Sequence, residues 1–496
     1  MRLIVGARSP MQTTKIEVAV VGGGFSGAIL AAQLLRCAPG CRLAMIDPGP
    51  QPGRGVAFSA DKSCHLLNVR CGWMSAFPGK PDHFLEWART HHRSSVQHSD
   101  FLPRGVYGQY IDSLLNDVRT RCSGGAFEWV QDEVVSVCRE ASRLKLRLQS
   151  GQELVAQFVV LATGNNKSTT LKVPGLSASS KRYVSSGWSN HSWKGIPQTG
   201  NVLLIGSGLT SVDVAVALRS EGFVGGIHIV SRHGLIPQVH RQSAAWPAFF
   251  KEPYPKSVRG LLRRIRSEVY AASRAGVDWR SVIDALRPVT PRIWQSLSID
   301  ERERFLRHLL PYWNVHRHRM APEVGAVIHD LIRNRQISVY TGCVKSCVEC
   351  AEHLEVHFHN RKSGKDEVLR VDRMINCTGP EADFRRVDAP LFQSLFEQGL
   401  ARPDPLFLGL DVDADGRLLD RRGEPSRSLY AIGPIRKGSL WETTAVPEIR
   451  VQAAELAALL ARNLGHHQFD NDPVLVDASR RQYSSNAERA RWQMSS

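Results

Sequence analysis

The sequence lacks the features that most readily mark a membrane protein or a nucleic-acid-binding tail. Its 64 lysines and arginines against 47 acidic residues give a formal charge of +17, yet no block of five or six like charges occurs. Only residues 18–35 approach the length of a membrane span, and three closely spaced glycines there argue against that interpretation. We therefore expect no membrane partner, no nucleic acid, a cytoplasmic location, and a small anionic substrate as the reason for the basic charge.

The cysteines lack a pattern that a flavin-linked thiol reductase needs, which is a C-x4-C pair after the first glycine-rich motif. No such pair follows the first glycine-rich motif of this chain, which begins at Gly22. The ten cysteines are expected to be the buried thiols of an intracellular enzyme. Cys343, Cys347 and Cys350 have the spacing of an iron–sulfur ligand set, but their neighbours alternate as strand residues do. We expect no metal site. The close pair Cys347 and Cys350 keeps a thiol–disulfide reductase open as an alternative.

The first glycine-rich motif predicts a dinucleotide site. Apolar residues 18–21 are typical of a strand and lead into Gly22-x-Gly24-x-x-Gly27, after which apolar residues follow at helical spacing. Gly22 permits a tight turn, Gly24 leaves room for a pyrophosphate, and Gly27 lets helix and strand pack closely. Asp47 ends a second predicted strand 20 residues after Gly27, where a carboxylate accepts hydrogen bonds from an adenosine ribose.

A second glycine-rich motif lies in the middle of the chain. Residues 202–205 lead into Gly206-x-Gly208, and Ser211 replaces the third glycine. The next predicted strand ends in Ser231 and Arg232, where the first motif has a carboxylate. A serine and an arginine attract the ribose phosphate that an acidic residue would repel, so NADPH is expected and NADH is left open.

Two stretches of alternating apolar residues enclose this second motif. Residues 134–164 and 336–380 each predict a small meander that closes on a buried strand and a Thr-Gly pair, at Gly164 in the first copy. Such a duplication is expected when two dinucleotide-binding domains share one chain. The sequence therefore predicts an α/β fold of two Rossmann-like domains, with a helical insertion at about 240–335 in the second.

Two further stretches supply candidate residues beside the nucleotides. The insertion ends in a cationic patch that contains Arg317 and Arg319, which is either a solvated helical face, a phosphate contact or a substrate contact. Near the C terminus a predicted strand ends in Gly433. Pro447 suits the first turn of a helix whose positive end points toward the place where that glycine leads.

Several motifs together resemble those of two-dinucleotide flavoprotein oxidoreductases, and more narrowly a bacterial family that includes an FAD-dependent urate hydroxylase and aspartate N-hydroxylases. The motifs are Gly53-x-Gly55-x-Ala57, His65-Leu66-Leu67-Asn68-Val69, Met74-Ser75-Ala76 and Trp441-Glu442-Thr443-Thr444-Ala445-Val446-Pro447-Glu448-Ile449-Arg450. The resemblance extends from about Glu17 to about Leu460. It implies FAD at the first glycine motif, a nicotinamide nucleotide at the second, and Gly433 with the following helix against the flavin. Pro434 is a departure, because related flavoproteins have an aspartate there for the ribityl chain.

The resemblance also implies the assignment of residues to domains and cofactors. The predicted domains are 15–168 and 369–465 for the two parts of an FAD-binding domain, 169–368 for the NAD(P)-binding domain, and 466–496 for a polar tail. Met11 is a second candidate start. The expected cofactor-binding residues are Gly22, Gly24, Ser26, Gly27, Asp47, His65, Asn68, Gly164, Gly206, Gly208, Ser231, Arg232, Gly433 and Val446.

The function that the resemblance implies is an FAD-dependent, NAD(P)H-consuming monooxygenase. It would use dioxygen, through a flavin hydroperoxide, to hydroxylate a small anionic substrate, with urate as the leading hypothesis. Arg317, Arg319 and Arg450 are candidates to orient the anion, and Trp441 is a candidate aromatic wall. The alternatives are an amino-acid N-hydroxylase of the same family, a flavin thiol–disulfide reductase, and a basic nucleic-acid-binding flavoprotein. The sequence does not indicate the subunit count.

Overall fold

The computed structural model describes residues 16–59, 62–121, 126–188 and 195–466. The alternative start at Met11, the thiol of Cys122, and the predicted tail beyond residue 466 lie outside these ranges. None of the described helices combines the length and apolar character required to cross a bilayer.

The strands of the described residues form two separate sheets. They are β1 (Ile16–Val21), β2 (Leu43–Ile46), β3 (Phe127–Val130), β4 (Val134–Glu140), β5 (Arg143–Leu148), β6 (Glu153–Leu161), β7 (Tyr183–Val184), β8 (Asn201–Ile205), β9 (Gly226–Ser231), β10 (Ile337–Glu349), β11 (Leu354–Asn360), β12 (Lys365–Val371), β13 (Arg373–Asn376), β14 (Arg417–Leu419) and β15 (Pro425–Ala431).

The helices follow the strands in the alternating order of nucleotide-binding domains. They are α1 (Phe25–Cys37), α2 (Gly55–Phe58), α3 (His83–His91), α4 (Arg104–Arg121), α5 (Leu209–Ser220), α6 (Val258–Arg274), α7 (Trp279–Leu286), α8 (Thr290–Ser296), α9 (Ile299–His308), α10 (Leu310–Arg317), α11 (Pro322–Arg333), α12 (Pro390–Glu397), α13 (Lys437–Leu440) and α14 (Val446–Asn463), with 3-10 turns at Cys71–Trp73 and Gly433–Arg436.

The first sheet has the strand order β14-β15-β6-β1-β2-β3, and β5 joins β4 to β6 in an antiparallel meander. Strands β15, β6, β1, β2 and β3 run parallel. Val18 and Val20 face one core with α1, α4 and α14, whereas Ile16 and Val21 face a second core with α12 and the meander. Strand β1 is therefore buried on both faces, which explains its uninterrupted apolar sequence.

The second sheet has the strand order β12-β11-β10-β9-β8-β13-β7. Its strands from β10 to β7 are parallel, and β11 and β12 extend β10 as an antiparallel meander. Helices α5 and α11 cover one face, while the meander packs Cys347, Leu354 and Phe358 over Leu203 and Met374 on the other. Because β13 pairs with β8, this sheet extends past residue 368, where the sequence-based boundary was set.

Helices α6 to α11 lie between β9 and β10, and α6 to α10 surround a small core of their own that includes Leu261, Leu286 and Trp313. The position of this region agrees with the insertion expected at about 240–335. The predicted α/β architecture of two Rossmann-like domains is confirmed.

Candidate functional site

The first glycine turn has the shape that a pyrophosphate requires. Gly22 has φ +110°, and a Cβ there would lie 2.4 Å from the carbonyl oxygen of Ala162. A Cβ on Gly27 would lie 2.1 Å from the Gly22 oxygen, so no larger residue fits either position. At Gly24, in contrast, the nearest atom is 3.7 Å away. This side of the turn, at the N terminus of α1, is open to an anionic ligand.

Asp47 is held at the end of β2 by two backbone N–H groups. Gly23 donates to Oδ2 and Gly49 to Oδ1, both at 2.7 Å. Each carboxylate oxygen keeps acceptor capacity beyond its one bond, because an ionised carboxylate has about four lone-pair sites. The residue is thus oriented before any ligand arrives, and it retains acceptors for the two ribose hydroxyls.

Gly433 lies in a buried network that joins β15 to α14. Its φ is +81°, and its N–H donates to Gln452 Oε1 at 3.0 Å. Thr443 Oγ1 donates to the Gly433 oxygen at 2.9 Å and accepts from Gln452 Nε2 at 2.8 Å. A Cβ on Gly433 would lie 2.4 Å from Oγ of Ser26, so Ser26 packs against this glycine. The network fixes the approach to Val446, where α14 begins.

Thr443 and Gln452 were not predicted as site residues. Thr443 belongs to the quoted tryptophan-containing motif, but Gln452 lies just outside it, and a lone glutamine on an apolar helix gives no local signal. Pro434 follows Gly433 inside a 3-10 turn, so the chain leaves β15 by a turn at the position where related proteins present an aspartate.

The second glycine turn repeats the first. Gly206 has φ +105°, and its Cβ would lie 2.6 Å from the Cys377 oxygen, as that of Gly22 would from Ala162. Nothing lies within 4 Å of a Cβ on Gly208. Ser211 is buried and donates to the Gly208 oxygen at 2.7 Å, so it caps the turn where a third glycine is missing. The residues at both turns fit a dinucleotide.

Gly164 follows β6 with φ +71°, and a Cβ there would meet open space. It lies just beyond Ala162, against which the first glycine turn packs. The free space beside Gly164 would let a bound ligand approach its backbone closely.

The guanidinium group of Arg361 contacts the backbone of Arg232 at the end of β9. Arg232 is exposed, and its carbonyl oxygen accepts from Nη1 of Arg361, which lies in the β11–β12 turn, at 3.3 Å. Within the described ranges neither side chain has a carboxylate partner within 4 Å. Ser231 Oγ lies 2.9 Å from Ser207 Oγ and accepts from the Gly234 N–H at 3.0 Å, so the serine also shapes this turn. Arg361 was not anticipated, since it lies 129 residues from Arg232.

The loop that carries His65 and Asn68 lies between the two domains. His65 Nε2 is 3.2 Å from the carbonyl oxygen of Asp213 in α5, and the Asn68 oxygen is 3.0 Å from His240 Nε2. Burial lowers the pKa of His65, although the Asp213 charge opposes that effect. Arg104 forms an ion pair with Asp213 at 2.9 Å beside this contact. Both predicted residues therefore lie at the contact between the first domain and residues 213 and 240, and their role in binding a nucleotide stays a prediction.

The predicted substrate arginines are held by neighbouring groups. Arg317 is buried and lies 3.4 Å from Glu442 and 3.6 Å from Glu448. Arg319, also buried, forms an ion pair with Asp284. Arg450 donates to the carbonyl oxygens of Ser75 and Trp73 at 3.0 and 3.4 Å.

A buried ion cluster at the start of α14 surrounds Arg317. We call it the α14 cluster, and it consists of Arg287, Arg317, Glu442 and Glu448. Arg287 binds Glu448 through two hydrogen bonds of 2.5 and 2.9 Å. Glu442 accepts from Trp313 Nε1 at 2.8 Å. Burial raises the pKa of Glu442, but the charges of Arg317 and His318 outweigh that effect and the net direction is down. Both carboxylates thus compensate both arginines.

Trp441 lies in an aromatic cluster of the insertion. Its ring stacks on Trp294 at 4.7 Å between centroids and meets Phe305 edge-on at 5.1 Å. The residue has φ +62° and is 5% exposed. Trp441 therefore joins the insertion to the segment that precedes α14, as an internal contact between them.

The two sheets, each with a glycine turn, define the class of fold, and comparisons with known proteins agree with it. Residues 19–166 match a family model described as FAD-NAD(P)-binding. Comparison with curated protein sequences gives no significant match. The expectation of an α/β chain that carries FAD- and NAD(P)-binding modules is confirmed.

Solved structures match over nearly the whole chain. An ornithine N-hydroxylase of Kutzneria sp. 744, in complex with reduced FAD, NADP+ and L-ornithine, is 14% identical with a TM-score of 0.60, covering 91% of this chain and 100% of its own. The FAD-bound cadaverine monooxygenase of Erwinia amylovora is 15% identical with a TM-score of 0.64, covering 90% and 95%. A bacillithiol disulfide reductase of Bacillus cereus is 15% identical with a TM-score of 0.52, covering 91% and 100%.

Proposed function

We propose that this chain is an FAD-dependent, NADPH-consuming monooxygenase that hydroxylates the nitrogen of a small amine or amino acid. The observation that carries the proposal is the extent of the match. The match to enzymes whose names give ornithine and cadaverine as substrates covers at least 90% of this chain. The leading expectation from the sequence, urate hydroxylation, has no such support among these neighbours. The alternative of an amino-acid N-hydroxylase fits them better.

The residues of the chain would bind and orient the cofactors. Bound FAD would supply the chemistry of dioxygen activation, and NADPH would supply the electrons. The first glycine turn would hold the FAD pyrophosphate against α1, while Asp47 would accept hydrogen bonds from the ribose. The N terminus of α14, held by the Gly433 network, would place the positive end of a helix dipole beside the flavin, where negative charge is stabilised.

The ion pairs of the α14 cluster favour an amine as the substrate over a urate-like anion. A site for a multiply charged anion needs arginines whose charge is not already compensated. Arg317 and Arg319 are paired with carboxylates, so the charge of two of the three arginines is already compensated. Arg450 donates to neutral carbonyl oxygens, which engage its N–H groups but do not compensate its charge. The role of these arginines would then be to fix the insertion and the Cys71–Trp73 turn against α14, with the substrate bound beside them.

The pair Arg232 and Arg361 supports NADPH as the electron donor. Both arginines are exposed, and the Arg361 guanidinium lies against the Arg232 backbone, so this end of β9 offers the positive charge and the N–H donors that a ribose 2′-phosphate would bind. NADH has no 2′-phosphate, so it would offer no such partner to Arg232 or Arg361.

A thiol–disulfide reductase remains a weaker alternative, although one of the solved structures is a disulfide reductase. The close pair Cys347 and Cys350 lies on the β10–β11 hairpin of the second sheet. Burial raises the pKa of Cys347 to about 11, which disfavours the reactive thiolate. A Cys347→Ser protein with unchanged turnover would eliminate this alternative.

The proposal is tested by following NADPH oxidation, peroxide release and hydroxylamine formation in air. Ornithine, cadaverine, aspartate and urate are supplied in separate reactions to the FAD-loaded protein. We expect one of the amines to yield a hydroxylamine in proportion to the NADPH consumed. Coupled oxidation of urate, with no hydroxylamine from any amine, would contradict the proposal.

A further inference from the structure

Three side chains of metal-ligand type converge at the β10–β11 turn, on the second sheet. One ligand atom from each of Cys350, His353 and Glu355 lies within 4.8 Å of the other two. We propose that this cluster is a binding site for zinc or a similar divalent transition-metal ion. The site is separate from both glycine turns and does not depend on the proposed function.

The register of the hairpin explains why these three side chains meet. The Cys350 N–H donates to the His353 oxygen at 2.9 Å, so the two residues face each other across a two-residue turn. His353 directly precedes β11, and Glu355, two positions further along, points to the same face. The neighbours Leu354 and Val356 point to the opposite face, into the core of the domain. The pleat of the strand thus aligns the thiol, the imidazole and the carboxylate.

The same register separates Cys350 from the other two cysteines of the triplet. Cys347 pairs with Val356 and is buried in the core, whereas Cys343 pairs with His359 further along the hairpin and is exposed. An iron–sulfur cluster on the three thiols is therefore not assembled. The partner set of Cys350 is a histidine and a glutamate.

The ligand types and their spacing match zinc coordination. Thiolate, imidazole and carboxylate are all zinc ligands, at about 2.3, 2.0 to 2.1 and 2.0 to 2.2 Å from the metal. Tetrahedral geometry with these bond lengths separates neighbouring ligand atoms by roughly 3.4 to 3.6 Å. His353 Nε2 and Glu355 Oε1 already lie 3.5 Å apart. Closing the remaining separations requires shifts of about 1 Å at a surface turn, and water would complete the tetrahedron.

Two neighbours contact one oxygen of Glu355. His353 Nε2 lies 3.5 Å from Oε1, and Arg370 Nε donates to Oε1 at 3.0 Å. The Arg370 side chain is 76% exposed, so it is free to move away from an incoming ion.

The test is metal titration of the full-length protein with zinc in competition with a chromophoric chelator. Cadmium is titrated in parallel, because it reports thiolate ligation as an ultraviolet charge-transfer band. We expect one zinc per chain at this site. Cys350→Ser and His353→Gln should each weaken the affinity at least tenfold, since even the loss of an outer hydrogen bond at a metal site costs about 10- to 100-fold. Cys350→Ser should also abolish the cadmium band.

The matched control is Cys343→Ser, which removes an exposed thiol from the same strand but outside the cluster. It should leave both the zinc affinity and the cadmium band unchanged. Equal losses in the Cys343 and Cys350 variants would overturn the proposal, as would zinc binding that none of these substitutions weakens. Absence of zinc binding in the wild-type protein would overturn it directly.

Discussion

At the scale of single residues, Gly433 tests the proposed flavin site. Gly433→Ala would introduce a Cβ 2.4 Å from Ser26 Oγ at a residue with φ +81°. We expect the free energy of unfolding to fall by about 1 to 2 kcal/mol from the backbone conformation and by about 1 to 3 kcal/mol more from overpacking. FAD affinity should fall as well. Chemical denaturation and flavin titration measure the two effects.

Gly151→Ala is the matched control for this substitution. Gly151 also has a positive φ, +88°, but nothing lies within 4 Å of its added Cβ. The free energy of unfolding of Gly151→Ala should fall only by the backbone contribution, and the variant should retain full FAD affinity. If the two variants bound FAD equally well, the packing of Gly433 against Ser26 would not contribute to the flavin site.

Arg232 and Arg361 determine the coenzyme preference in this account. Arg232→Ala and Arg361→Ala should each raise the Michaelis constant for NADPH by roughly tenfold or more, since a charge-assisted hydrogen bond contributes about 1.5 to 3 kcal/mol. The constant for NADH should change little. Arg333→Ala, at an exposed arginine of the same domain, serves as the control. Equal effects on both coenzymes would show that these arginines do not contact the 2′-phosphate.

At the scale of elements, the α14 cluster connects the insertion to α14, the helix that we propose lies beside the flavin. Glu448→Gln would leave Arg287 and Arg317 with less compensating charge at a site where Arg287 and Glu448 are each only 14% exposed. Breaking a buried ion pair from one side costs about 3 to 5 kcal/mol, so we expect a loss of stability of that order. Glu303→Gln, on an exposed face of α9, should have no measurable effect in the same denaturation experiment. Equal stabilities of the two variants would show that the cluster does not hold the insertion.

The elements differ in how far the sequence predicts them. The strand, glycines and helix of β1 and α1 are neighbours in the chain, so the spacing of Gly22, Gly24 and Gly27 was sufficient to predict the turn. The position of Asp47 was predictable for the same reason, because β2 directly follows α1. The two parallel sheets and the insertion also followed from local periodicity.

The α14 cluster was not predictable in this way. Arg287 and Glu448 are 161 residues apart, and their ion pair depends on how the insertion packs against α14. The sequence placed Arg317 in a cationic patch, whereas in the structure it is buried beside Glu442 and Glu448, which come from another part of the chain. The roles proposed for Arg317, Arg319 and Arg450 as substrate contacts stay predictions for this reason.

At the scale of the whole molecule, His240 supports the contact between the domains and makes stability depend on pH. Burial, with a further contribution from the charge of Arg319, lowers its pKa from 6.5 to about 3. The unfolded chain therefore takes up the proton first as the pH falls. The stability from neutral His240 is complete above pH 6.5 and is lost between pH 6.5 and 3, by about 1.4 kcal/mol per pH unit.

His240→Gln should remove this part of the pH dependence and keep a donor toward the Asn68 oxygen. Between pH 6.5 and 5.5, where the histidine of the unfolded chain is only partly protonated, the variant should lose about 1 kcal/mol less stability than the wild-type protein. His329→Gln, at an exposed position, should retain the wild-type pH dependence. Identical slopes for the wild-type and His240→Gln proteins in urea denaturation would contradict a neutral buried His240.

The central claim is that the two facing glycine turns bind a flavin and its electron donor in one chain. The most direct measurement is the flavin content of the purified protein, followed by anaerobic addition of NADPH. One FAD per chain is predicted, and its visible absorbance should bleach faster with NADPH than with NADH. A colourless protein that does not take up added FAD, or a bound flavin that neither coenzyme reduces, would contradict the claim.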